Sequence, residues 1–200
     1  MFSIISYIFQ DKFEFQRPFF ALKGVPIGNQ NERITEFIRD HEELSIEELL
    51  EFVYSNKLHL YSIVDFINSL SDEYVFKDKD TIITLDNSKI NKYNTKIAED
   101  VIINAIKDDG FIAAANFSAY NFLPREVKWT DWLLYSALNK YSNEIKVFTS
   151  SSQMRFSKLI FVKKEIPANN LDELIIYLKR KLDIDEVAFI KYLKIKGLMK

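Results

Sequence analysis

Two stretches pair a carboxylate with an ammonium at the spacing a phosphodiester-cutting site would use: Glu144-Ile145-Lys146 and Glu126-Val127-Lys128. In such a site an Asp and the Glu hold Mg²⁺ on adjacent strands, while the Lys orients water or stabilises the leaving charge. Glu144 opens a predicted strand, but Asp131, its upstream partner, falls on a predicted helix. Asp108 and Asp109, upstream of Glu126, are also off any strand. A chain rich in Lys and Glu yields two such matches by chance, so Mg²⁺-dependent nuclease chemistry is a remote alternative.

Other chemistry is scarce. There is no GxxxxGKS/T or GxGxxG to cradle phosphates, and no HExxH or GxSxG. His41 and His59 fall in turn zones and read as surface histidines. Asp78-Lys79-Asp80 opens like a calcium loop, but the fifth and twelfth positions are Ile82 and Lys89, which offer no side-chain oxygen. The absence of Cys excludes disulfides, Cys-ligated zinc, iron–sulfur clusters and thiol catalysis. The expectation is a non-enzymatic protein with no catalytic residues, no metal and no cofactor.

The elements that would carry any site come from a chain of 200 residues, 48% hydrophobic and 28% charged. That suffices for one sizeable core or two small ones. No apolar run approaches the roughly 18 residues of a membrane span. Met1–Phe9 is apolar but lacks a basic start, and Gln10 and Asp11 end it; it reads as a strand rather than a secretory signal. A cytoplasmic protein with no membrane contact is expected.

Residues 1–30 read as an extended arm or strand, interrupted by Pro18 and Pro26, with a turn at Gly24–Asn29. Helices follow at about Asn31–Asp40, after Ser45 (a capping box with Glu48), and at Leu60–Leu70. Tyr74–Phe76 and Thr81–Thr84 flank a polar tetrad as a hairpin. Polar Asp86–Asn94 is the expected domain boundary. Beyond it come a helix capped by Thr95 and closed at Asp108-Asp109-Gly110, and then Phe111–Tyr120, ambiguous between helix and strand. Next are a helix over Trp129–Tyr141, a hairpin of Ile145–Thr149 and Phe156–Lys163, and a helix pair over Leu171–Leu182 and Asp185–Lys194. Ser45–Leu50 and Asn170–Ile175 share one pattern of cap, apolar, two acids and two apolar residues, which is either an internal duplication or two independently capped helices.

Three short helices and a hairpin, over Asn31–Leu85, resemble a winged helix-turn-helix. Residues 95–165 repeat the order. The expected architecture is α+β: an acidic winged-helix-like domain over 31–90, a basic one over 95–165, and a C-terminal helix pair over 166–200.

Charge separates the halves. Residues 1–94 hold 10 basic and 16 acidic side chains, net −6; residues 95–200 hold 17 and 13, net +4. The third helix, where a winged helix reads a groove, has no Lys or Arg and carries Asp65; only Asn68 is suited to an adenine edge. Wing residues Lys77 and Lys79 are offset by Asp78 and Asp80. The basic half presents Lys146, Arg155, Lys158, Lys163 and Lys164 on its hairpin, with Ser150–Gln153 at the tip, and Arg125 and Lys128 before the Trp helix. Those seven are the candidate nucleic-acid contacts. Lys179, Arg180 and Lys181 complement a helix C-terminus. Trp129, Trp132 and Tyr135 stack single-stranded bases in one reading and fill a core in the other. The expected function is a nucleic-acid-associated or regulatory binding protein, with DNA or RNA on the basic half and a protein partner on the acidic half. The alternative is a protein-interaction module, self-association included, motivated by the Phe-rich arm Met1–Phe20.

Overall fold

The computed structural model describes residues 11–16, 19–22, 30–152 and 155–199, and for residues 13–16, 19–22, 150–152 and 155–158 the backbone only. The expectations for Met1–Phe9 and for the Gly24–Asn29 turn lie outside these residues. The fold is α+β. Chain contacts divide it into a unit of residues 1–41 and 48–59 and a unit of residues 42–47 and 60–200.

The first unit holds the antiparallel pair β1 (Phe13–Gln16) and β2 (Phe19–Leu22). It also holds helix α1 (Gln30–Arg39) and most of α2 (Ile46–Ser55). Apolar residues at i and i+4 bury one stripe of each helix: Ile34 and Ile38 on α1, Leu49 and Val53 on α2. Phe37 stacks on Phe52 with ring planes 4° apart. α2 starts directly after Ser45, as expected.

The second unit contains two three-stranded antiparallel sheets. β3 (Glu43–Ser45), β4 (Tyr74–Phe76) and β5 (Thr81–Thr84) lie in the order β3-β5-β4. β6 (Phe111–Ala113), β7 (Ile145–Ser152) and β8 (Arg155–Lys163) lie in the order β6-β8-β7. Each sheet thus places its last strand between the other two. Phe111 begins a strand, which resolves the ambiguous segment; a 3₁₀ turn follows at Ala114–Asn116. α3 (Ile63–Ser69) is shorter than expected because Ser62 caps it, accepting the Asp65 N–H.

The Asp86–Asn94 segment is not a linker. It forms α4 (Leu85–Ser88), left-handed Lys89, buried Ile90 and the cap of α5 (Lys92–Ile106). Asn91, not Thr95, is that cap: its side chain accepts the Tyr93 and Asn94 N–H groups, and Asn94 returns a bond to the Asn91 N–H. Thr95 therefore lies inside the helix, buried. Ile90 packs with Val75 of the first sheet and with Leu133 and Ala137 of α6 (Asp131–Tyr141). Residues on both sides of the expected boundary thus share one core.

Helix α6 explains that continuity. Every residue from Trp132 to Leu138 is buried, so it packs on all sides. It also closes the edge strand β4, whose outward groups would otherwise be open to pairing. The Ser136 hydroxyl accepts the Phe76 N–H at 3.0 Å, and the Thr130 hydroxyl donates to the Lys77 carbonyl. Lys140 donates to the Ser71 carbonyl and pairs with Asp72. Asn68 of α3 donates to the Tyr135 hydroxyl at 2.7 Å.

The second sheet is covered on both faces, and Leu159–Val162 are all buried. Alternation sends Ile160 and Val162 toward α7 (Leu171–Leu182) and α8 (Glu186–Ile195), where Leu174, Leu178, Phe189 and Leu193 meet them. Phe161, on the opposite face, meets Phe117 edge-on. Asn170 caps α7, and left-handed Asp183 makes the joint to α8.

Ser136→Ala removes the partner of the buried Phe76 N–H. It should cost about 1–3 kcal/mol in urea unfolding, whereas Ser118→Ala, at an exposed loop position, should stay within about 0.5 kcal/mol.

Candidate nucleic-acid interface

The seven candidate cations have different environments. Lys146 shares a sheet face with Phe148, Ile160 and Val162, by strand alternation and register. That face is covered by α7 and α8, so the ammonium donates to the Ile166 carbonyl at 2.6 Å and to the Ala168 carbonyl. Burial pulls its pKa below the ordinary lysine value. Lys146 holds the β8–α7 connection and is not presented to a phosphate. Lys163 is half-buried and Lys164 exposed, beside an open cleft of about 290 Å³ with Glu144 and Glu165. The Lys164 ammonium reaches the Ser142 carbonyl at 2.9 Å.

Arg155 and Lys158 belong to β8, but their side chains lie outside the described residues, as does Gln153 of the tip. The backbone still constrains them. β6 pairs with β8 only over Ile160–Val162. Toward the tip, β7 and β8 continue alone as a two-stranded ribbon, with Ser152 opposite Arg155 and a register shift between Thr149 and Ser151. Such an irregularity bends and twists a ribbon. Residues 145–164 hold five basic side chains and no acidic one.

Arg125 and Lys128 are exposed on the turn between Leu123 and Thr130. Arg125 lines a cleft with Tyr120 and Trp129, separate from the cleft at Lys163 and Lys164. Trp132 and Tyr135 are core residues of α6, whereas Trp129 lies half-buried before the helix. Trp129 lines the cleft that Arg125 reaches. Asn68 is half-buried on Tyr135, not free for a base edge.

The carboxylates and lysine of the nuclease pattern are not brought together. Glu144 pairs with Lys96 at 2.6 Å, Lys146 is bound to carbonyls, and Asp131 opens α6 and accepts from Tyr120. Burial first, then Asp131, keep that tyrosine hydroxyl protonated well above its usual range. Among the described residues no group of three or more His, Asp or Glu is placed to hold a metal. None of their helices is long and apolar enough to cross a membrane.

The residue the sequence concealed is Glu99. Only 2% of its surface is exposed, on helix α5. One carboxylate oxygen accepts the Ser142 hydroxyl and the N–H groups of Asn143, Glu144 and Ile145, at 2.8–3.3 Å for the amides. The other accepts Lys96 at 3.1 Å. This cradle fixes the turn from which β7 departs, and so the base of the ribbon. Burial pushes the Glu99 pKa up, but Ser142, the Glu144 N–H and Lys96 outweigh it and hold the group below its ordinary value.

No protein-family model, curated protein or solved structure matches the chain.

Glu99→Gln should lose about 2–4 kcal/mol at neutral pH. Because the folded pKa is depressed, the wild-type advantage is complete above the unfolded value near 4.3 and fades as pH falls through the lower folded value. Chemical denaturation from pH 7 to pH 3 should show the two proteins converging. Lys146→Ala should destabilise by about 1–3 kcal/mol, while the salt slope of any nucleic-acid binding stays at the wild-type value.

Proposed function

We propose that this chain is a non-enzymatic nucleic-acid-binding protein that contacts DNA or RNA through the β7–β8 ribbon. The observation that carries the reading is a ribbon that outruns its third strand within a stretch of five basic and no acidic residues. A projecting basic ribbon can follow a phosphate backbone or lie in a groove. The contact set is Arg155, Lys158, Lys163 and exposed Lys164; Lys146 drops out because its ammonium donates to two carbonyls on the sheet face that α7 and α8 cover.

The resemblance to winged-helix proteins supports the same reading. Along the chain α1, β3, α2, α3, β4 and β5 follow the order helix, strand, helix, helix, strand, strand. α5, β6, α6, β7 and β8 follow helix, strand, helix, strand, strand, and both sheets share one strand order. In the second repeat the helix that would enter a groove is α6. It is buried from Trp132 to Leu138, which leaves the wing as the contact element. In the first repeat α3 has no cation, holds exposed Asp65 and commits Asn68 to Tyr135. The acidic N-terminal half therefore suits a protein partner, consistent with a regulatory role.

The double substitution Arg155→Glu/Lys158→Glu tests the reading by titration of labelled duplex DNA and RNA at several salt concentrations. Each phosphate contact contributes about 0.9 to the log–log salt slope on B-DNA. Loss of binding with a slope lowered by about two units agrees with the ribbon contact. Unchanged affinity and slope would refute it.

A further inference from the structure

The cleft beside Arg125 has the walls of a base-stacking site. It has a volume of about 440 Å³ and is lined by Tyr120, Asn121, Leu123, Pro124, Arg125 and Trp129, among others. That volume is in the range of small-ligand sites. Both of its aromatic side chains are anchored by hydrogen bonds. The Trp129 indole N–H donates to the Pro124 carbonyl at 2.9 Å, so its polar edge is satisfied and the ring is fixed. The Tyr120 hydroxyl donates to Asp131, and its ring meets Phe117 edge-on at 5.0 Å. Leu123 and Val127 are buried beneath. Arg125 and Asn121 are exposed, and neither has a polar partner among the described residues. Exposed Glu126 and Lys128 on the same turn, and Phe122, 76% exposed, neighbour the cleft in the chain without lining it. No carboxylate lines the cleft.

We infer that this cleft holds an unpaired base of a single-stranded nucleic acid against Trp129, with Arg125 on the adjoining phosphate. The chemistry follows from the parts: fixed rings stack any base, a guanidinium grips a phosphate in two-point fashion, and an amide can meet a base edge. Fixed walls lower the ordering cost of binding. The inference rests on the nucleic-acid reading but uses a different surface from the ribbon, so the two can fail separately.

The test uses the full chain, a labelled oligothymidylate of about 15 nucleotides, the site-size range of such proteins, and a labelled duplex. The single strand should quench tryptophan emission. Trp129→Ala should weaken single-strand binding by about 5- to 150-fold, the range of one lost stacking contact, while Trp129→Phe, which keeps a ring, restores most of it. Arg125→Ala, an exposed position that leaves the fold intact, should weaken binding and lower the salt slope by about 0.7, one single-strand phosphate. Duplex affinity should be unchanged in both cleft variants. Single-strand affinity equal to wild type in Arg125→Ala and Trp129→Ala, or no single-strand binding at all, overturns the inference. Thymidine monophosphate bound as tightly as the oligomer overturns it too, and assigns the cleft to a free nucleotide. Duplex binding sensitive to Arg155→Glu/Lys158→Glu but insensitive to the cleft variants leaves the ribbon reading standing whichever way the single-strand arm falls.

Discussion

The burial of α6 constrains everything else in the larger unit. A helix covered over seven consecutive residues has no face left for solvent, so its polar groups must find partners inside the protein. They do so on β4, on the turn after α3, and on α3 itself, through Ser136, Thr130, Lys140 and Tyr135. The same helix supplies Leu133 and Ala137 to the core that takes in Val75 and Ile90. Two sheets with one strand order are thereby joined into a single body instead of being strung on a linker.

That constraint also decides what is left to contact a partner. With α6 enclosed, candidate cations of the basic half lie on the β7–β8 hairpin, whose tip runs beyond β6, and on the turn bearing Arg125 and Lys128. Both are positioned from within. Glu99 gathers three consecutive amides at the start of β7, and Lys96 ties that carboxylate to Glu144. The turn is held by the Trp129–Pro124 and Tyr120–Asp131 bonds. Rigid bases under short exposed segments are the arrangement in which loops carry function.

Much of the fold was legible in the chain. Alternation and turn composition gave both hairpins, and apolar periodicity gave α1, α2, α6 and the C-terminal pair close to their observed limits. What escaped has a common cause: a polar residue on the inside reads like one on the outside. Asn91 and Thr95 are both good caps, and only tertiary packing of Ile90 selects the first. Glu99 lies among acidic and basic neighbours, and only the turn folding over it reveals that it is buried. Lys146 looked like a phosphate ligand because strand alternation assigns a face but does not say that α7 and α8 cover it. Arg125 and Trp129 were each visible, yet their sharing of one cleft depends on the 3₁₀ turn at Ala119–Phe122, which has no strong sequence signature.

Hydrogen exchange of the free and oligonucleotide-bound protein tests most directly whether α6 is core and the ribbon is the contact. Slowest exchange in α6, unchanged on binding, with new protection confined to residues 147–164 and 120–129, is the expected result. Fast exchange in α6, or protection that maps to α6 or α3 instead of the ribbon, would contradict the account.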